Sequence, residues 1–219
     1  HLVARHAVGV CTGSAALLPD IEGLADAAPW TSREATSVKD VPASLVVLGG
    51  GVVACEMATA FAALGSAVTV VARSGLLGNL EPFAGEAVAD SLRGEGVDLR
   101  LNVETNRVTR ESDAVVVTLS DGAVVRAAQI LVATGRTPRT DDLGLETVGI
   151  KPGSWLAVDD TMRAQCSDWL YAVGDVNRRA HGLRLRKLRR LRKIGLGRRL
   201  RRIGRGWVGL GGRVRLRSG

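Results

Sequence analysis

The sequence predicts an α/β protein, a parallel sheet with helices on both faces that also carries a β-hairpin or meander. Three observations lead to it. Short, continuous apolar runs of strand length, the first at Leu45 to Leu48, alternate with segments of helical periodicity. A run of three glycines, Gly49, Gly50 and Gly51, follows that first strand at once. The chain of 219 residues is 46% hydrophobic but only 3% aromatic, so its apolar mass is Ala, Val and Leu. That composition suits strands buried on both faces, with small-residue helices packed on them.

The elements follow in order. Leu45 to Leu48 reads as a central strand. Val53, Met57, Ala60 and Leu64 then recur at three- and four-residue spacing and predict one face of a helix ending near Gly65. Ala67 to Val71 is a second apolar strand, so about thirty residues make a βαβ unit, whose crossover is right-handed when both strands join one sheet. "PFAGEAVADSLRGEG" predicts a helix with Ala87, Val88 and Leu92 facing inward, and "VDLRLN" a further parallel strand. "AVVVTLS" and "AVVRA", joined through "DG", read as a hairpin. "AQILVATG" is a last buried strand returning to the sheet, which bounds one domain at residues 43–136.

The glycine turn carries the chemistry. Gly49-x-Gly51-x-x-Ala54 is a dinucleotide fingerprint lying between a predicted strand and a predicted helix, a Rossmann-like context. Gly49 permits the tight turn, Gly51 lets a pyrophosphate approach the backbone, and small Ala54 lets helix and strand pack closely. The helix start, with Gly50, Val52 and Val53 around it, offers N–H groups and a partial positive charge to phosphates. At the end of the second strand an acid would accept hydrogen bonds from an adenosine ribose. Ala72 stands there, with Arg73 and Ser74 next, a pair able to hold a 2′-phosphate. NADP(H) is therefore expected over NAD(H).

Two glycine-ended strands, "AVGVCTGS" and "ILVATGRTP", bracket this domain, and "DWLYAVGDV" closes later on Gly174-Asp175. Together with "VVLGGGVVACE", and in this order, they resemble the FAD-dependent pyridine nucleotide-disulfide oxidoreductases, a family that includes dihydrolipoyl dehydrogenase, glutathione reductase and mercuric reductase. The resemblance runs from about residue 5 to 182. It implies that 1–42 and 137–182 are parts of an FAD-binding domain into which 43–136 is inserted. It implies further that Gly13, Thr134, Gly135 and Arg136 mark the two crossings, and that Asp175, with Gly174 allowing close approach, hydrogen-bonds the FAD ribityl chain. Glu56 matches a position near the flavin–nicotinamide contact, and Val52 stands where several members place a gating Tyr. A second GxGxxG, the redox disulfide, the His-Glu pair and the domain that makes the family homodimeric are expected outside this chain. No catalytic residue is thus assigned within it, and the chain alone is expected to be inactive.

Charge divides the chain. Residues 183–219 hold 15 of the 30 basic residues and no acid, which leaves the rest 15 basic against 22 acidic residues, a net of −7. The basic run carries a single aromatic, Trp207, and no base-reading module, and its Leu185, Leu188, Leu191 and Ile194 recur every third residue, which spreads them over about half a helix's circumference and weakens the apolar face. A nucleotide-binding fragment whose cationic tail meets nucleic acid or anionic membrane is the alternative function. The Arg, Leu and Gly composition instead predicts an aberrant or disordered end of out-of-frame, GC-rich coding origin. Cys11, Cys55 and Cys166 lie far apart, without CxxC or metal-ligand spacing, so no metal site or redox pair is expected, and a reducing cytoplasm is. No apolar run has the length of a membrane span.

Overall fold

The computed structural model describes residues 3–178. They form two compact units, one of the residues up to Ala15 together with those from Thr137 onward, the other Ala16–Arg136. The basic run at 183–219 lies outside the described residues.

In the unit Ala16–Arg136, four parallel strands form a sheet in the order β5-β4-β3-β9. They are β3 (Ser44–Leu48), β4 (Ala67–Ala72), β5 (Asp98–Leu101) and β9 (Gln129–Val132). Strand alternation divides β3 between two cores. Leu45 and Val47 join the helices α2 (Val52–Ala63) and α3 (Pro82–Gly94), while Val46 and Leu48 face Val108, Val115, Val117 and Leu119. The latter four belong to a three-stranded antiparallel sheet of β6 (Thr105–Arg110), β7 (Val115–Leu119) and β8 (Val124–Ala127). The α/β class and the parallel sheet are as the sequence predicts. The sheet's second face, though, is covered by this antiparallel meander and not by helices.

Two predicted helix faces are corrected. On α2 the buried residues are Ala54, Cys55, Ala58 and Phe61, whereas Val53, Ala60 and Leu64 are exposed and Met57 is half-buried. Nearly every residue of α2 is apolar, so periodicity cannot choose a face, and contact with the sheet selects Ala54, Cys55, Ala58 and Phe61. On α3 the inward residues are Gly85, Ala89 and Leu92, with Val88 half-buried and Ala87 exposed. Burying a Leu, Val or Phe side chain is worth about 1.5–3 kcal/mol. The Val and Leu of β3, β4 and β9 therefore hold this unit more than the alanines of α2 do.

Residues 16–42, expected with the flanking domain, pack in this unit. Leu24 and Ala27 are fully buried against the meander. The Trp30 N–H donates to the Ile130 carbonyl at 2.9 Å, and the Trp30 carbonyl accepts from the Val132 N–H at 2.8 Å, so Trp30 adds a further bridge beside β9. Arg110 fastens the segment from β6, its Nε and Nη2 donating to the Ala27 carbonyl at 3.1 and 2.8 Å. A short helix, α1 (Ser32–Ala35), follows with a capping box between Thr31 and Glu34.

In the other unit, β1 (Val8–Val10) pairs in parallel with β11 (Leu170–Ala172). Its core is Val10, Leu145, Leu156, Val158, Ala164, Leu170, Ala172 and Val176. Where the chain passes from one unit to the other, β2 (Ser14–Ala16) and β10 (Arg136–Pro138) pair with each other.

Asp159 closes a turn in this unit. Its Oδ1 accepts from the Thr161 N–H at 2.7 Å, the Thr161 hydroxyl at 2.6 Å and the Arg163 N–H at 3.1 Å. These bonds, the Thr161 hydroxyl foremost, lower its pKa from 3.8 to about 2. The unfolded chain takes up the proton near the higher value and the folded chain only near the lower. The contribution is therefore whole above about pH 4 and is lost as the pH falls to about 2. In thermal unfolding across that window, the wild type is expected to lose stability more steeply than Asp159→Asn. Parallel curves would remove this account of the turn.

Candidate nucleotide-binding sites

The turn between β3 and α2 is built for close backbone approach. Gly49 has φ +129, and a Cβ there would collide with the Ala133 carbonyl oxygen and stand 2.8 Å from its carbon. Its N–H donates to the Val71 carbonyl at 2.9 Å. Gly50 is tight but less severely so, for a Cβ on it would lie 3.0 Å from the Gly75 carbonyl oxygen and 3.2 Å from Ala72 Cβ. Gly51 differs. It is the N-cap of α2, without a side-chain cap, and a Cβ on it would meet nothing within 4 Å. The first turn of α2 carries no acid, Val52 and Val53 are exposed, and Ala54 is fully buried against the sheet. An α-helix leaves its first N–H groups without intrahelical acceptors. This end therefore presents donors and positive potential to open space, which fits a pyrophosphate.

The carboxyl end of β4 lies beside this turn. Ala72 is buried, and Arg73 and Ser74 are exposed. Arg73 has no ion-pair or hydrogen-bond partner among the described residues, and the Ser74 hydroxyl makes only a long 3.4 Å bond to the Gly75 carbonyl. The loop that carries them is tied to the fingerprint, since the Leu77 N–H donates to the Gly50 carbonyl at 2.7 Å. The structure thus brings the predicted phosphate turn and the predicted 2′-phosphate pair to one edge of one sheet.

Glu56 is exposed one turn into α2. The adjacent Cys55 is buried, and burial pushes its thiol pKa up, with Glu56 adding in the same direction. Cys55 is therefore a packed, protonated thiol and not a nucleophile. Cys11 and Cys166 are exposed and unbonded. Among the described residues no group of three or more His, Cys, Asp or Glu side chains is placed to hold a metal, and no helix is long and apolar enough to cross a membrane.

The crossing residues divide by role. Thr134 spends its hydroxyl on the Leu17 carbonyl at 3.0 Å, and the Gly135 carbonyl accepts from the Leu17 N–H at 2.9 Å, so both lock the chain path. Arg136 is exposed. In the other unit the Gly13 carbonyl accepts from the Arg139 N–H at 3.1 Å. Gly174, at φ +90, has nothing within 4 Å of a Cβ position, and the exposed Asp175 follows it. The buried Ser14 hydroxyl donates to Asp175 Oδ2 at 3.1 Å. Ser14 is a residue of this candidate site that sequence reasoning passed over. Its signal was a short hydroxyl directly after the first crossing glycine, but its partner lies 161 positions away. Open space at Gly174 beside an oriented carboxylate fits a polyhydroxylated chain such as the flavin ribityl.

A glycine turn feeding a helix N-terminus on a parallel sheet, interrupting a second unit with its own glycine–aspartate strand end, is the arrangement of a dinucleotide-binding fold. Comparison with known proteins places it further. The pyridine nucleotide-disulphide oxidoreductase family matches residues 3–194, and the chain belongs to it. It is 38% identical to a mercuric reductase of Shigella flexneri over 173 residues, covering 76% of this chain and 30% of the relative. To a glutathione reductase of Burkholderia cepacia it is 34% identical over 180 residues, with 81% and 39% covered. The copper(II) complex of the HOCl-induced flavoprotein disulfide reductase RclA from Escherichia coli superposes with a TM-score of 0.76 at 29% identity, covering 87% of this chain and 45% of that one. The chain thus spans less than half the length of each.

Proposed function

We propose that the chain is the nicotinamide-dinucleotide-holding portion, with part of the flavin-binding portion, of a flavin-dependent oxidoreductase, and that it prefers NADPH. In this reading Ala16–Arg136 holds the nicotinamide dinucleotide. Gly49 and Gly50 shape the turn, and the Gly51 gap with the N–H groups of Val52, Val53 and Ala54 takes the pyrophosphate. Arg73 and Ser74 take the 2′-phosphate. Glu56 lies on the helix that leads from the pyrophosphate toward the nicotinamide end. In the other unit Gly13 and Gly174 leave room for the flavin's sugar chain, and Asp175, oriented by Ser14, accepts its hydroxyl hydrogen bonds. When bound, the nicotinamide supplies a hydride and the flavin passes its electrons on to a disulfide or another acceptor. The protein's share is placement.

The observation that carries the reading is the open space at Gly51, directly after Gly49, where a side chain collides with the Ala133 carbonyl, and Gly50, where one would be tight. The cofactor preference rests on Arg73, an exposed cation without a partner among the described residues, where an acid would select NAD(H). Arg73→Ala is expected to weaken NADPH binding roughly tenfold or more, the worth of a hydrogen-bonded charge pair, while NADH affinity moves less than about threefold. Equilibrium titration of both cofactors against both proteins checks it. Equal losses for NADPH and NADH, or an NADH preference in the wild type, would remove the NADPH reading.

A further inference from the structure

The geometry points to Asn102 as the residue that reads the adenine ring of the bound dinucleotide, an inference that rests on the dinucleotide site proposed above. The sheet order β5-β4-β3 lays out the ligand. The pyrophosphate belongs at the carboxyl end of β3 and the ribose at that of β4. The base, which leaves the ribose on the side away from the pyrophosphate, falls over the end of β5. In open α/β sheets ligands bind outside these carboxyl ends.

The end of β5 is not a plain loop. Leu101 is paired with Ala72, yet the next ladder bond to the Ala72 carbonyl, at 3.2 Å, comes from the Val103 N–H. Asn102 is therefore an extra residue, set out of the ladder level with Ala72 and Arg73. It is exposed, at φ +59. Its amide has no hydrogen-bond partner among the described residues. The strand-end position, the exposure and the unengaged amide coincide at the carboxyl end of β5. A carboxamide matches adenine well, since its oxygen accepts from the N6 amino group while its nitrogen donates to N7.

Asparagine also tolerates the left-handed region better than most residues, and that alone would account for its presence. Asn102→Gly separates the two roles. Glycine takes the same backbone conformation without strain and removes only the amide. The probes are NADPH and reduced nicotinamide hypoxanthine dinucleotide phosphate, in which a carbonyl replaces the N6 amino group. They are titrated against the 219-residue chain, wild type and Asn102→Gly, with thermal unfolding run alongside.

The wild type is expected to bind the adenine form about tenfold more tightly, as sites built to hydrogen-bond a group reject an analogue lacking it. The variant is expected to unfold at the same temperature, to bind NADPH more weakly, and to bind the two dinucleotides within about twofold of each other. A variant that keeps the wild-type preference overturns the inference, and so does a wild type that binds both dinucleotides equally. Folded wild type that binds neither overturns the dinucleotide site and this inference together.

Discussion

Gly51→Asp is expected to abolish dinucleotide binding while leaving the protein as stable as before, or more so. The two effects share one cause. Gly51 is the N-cap of α2, without a side-chain cap, and the space a Cβ would enter is open. An aspartate fits there without collision. Its carboxylate would accept from the N–H groups of Val53 or Ala54, the usual N-cap bond, in the place where glycine provides none. A negative charge at a helix N-terminus is favourable by about 0.3–1 kcal/mol. The same carboxylate would occupy the donors proposed for the pyrophosphate and repel it. A loss of at least about 100-fold in NADPH affinity follows, corresponding to about 2.7 kcal/mol or more. Titration with NADPH and thermal unfolding read the two effects separately. A variant that unfolds early, or one that folds and still binds NADPH tightly, would contradict the role given to Gly51.

Gly49→Ala, two residues away, is expected to do the reverse and break the fold. At φ +129 an L-residue is strained, and the added methyl would collide with the carbonyl of Ala133. Backbone strain of this kind costs about 1–3 kcal/mol. The collision adds to it, because Ala133 cannot move freely. Its N–H is bonded to the Leu48 carbonyl at 2.8 Å, and it continues β9, the central strand's neighbour. A loss of at least about 3 kcal/mol is a large share of the roughly 5–15 kcal/mol that holds an ordinary domain. Denaturant unfolding of wild type and variant measures it, and a variant with an unchanged midpoint would show that the turn relaxes at no cost. Two glycines of one motif thus serve different ends. Gly49 is required by the protein's own packing, and Gly51 by what the protein is proposed to hold.

The sequence made the sheet legible because its central strands are largely buried on both faces and read as nearly continuous apolar runs at Leu45 to Leu48, Ala67 to Val71 and Ile130 to Val132. The fingerprint was legible because its spacing is local. What was lost is what depends on distant partners. The buried face of α2 was misassigned because alanine is as compatible with solvent as with a core, and only contact with β3 and β4 selects Ala54, Ala58 and Phe61. The strand Thr105–Arg110 was missed because "TNRVTR" buries a single residue, Val108, and draws its register from β7 instead of from its own pattern. The same holds for residues 16–42. Nothing in their composition ties them to the nucleotide-binding unit, and the tie is made by Trp30 beside β9 and by Arg110 reaching the Ala27 carbonyl. At the sites, Gly13 and Asp175 could be named from motifs, but Ser14 between them could not, and neither could Asn102. Each acquires its meaning from a strand pairing across the chain, β1 with β11 in one case and β4 with β5 in the other.

The central claim is that this chain holds a nicotinamide dinucleotide on the N-terminus of α2. Backbone amide NMR of the 219-residue protein during titration with NADPH tests it most directly. The account predicts saturable shifts, largest at Gly51, Val52, Val53 and Ala54, with Arg73 and Ser74 moving along the same binding curve. Folded protein whose amides at 51–54 stay fixed at saturating NADPH, whatever moves elsewhere, would contradict it.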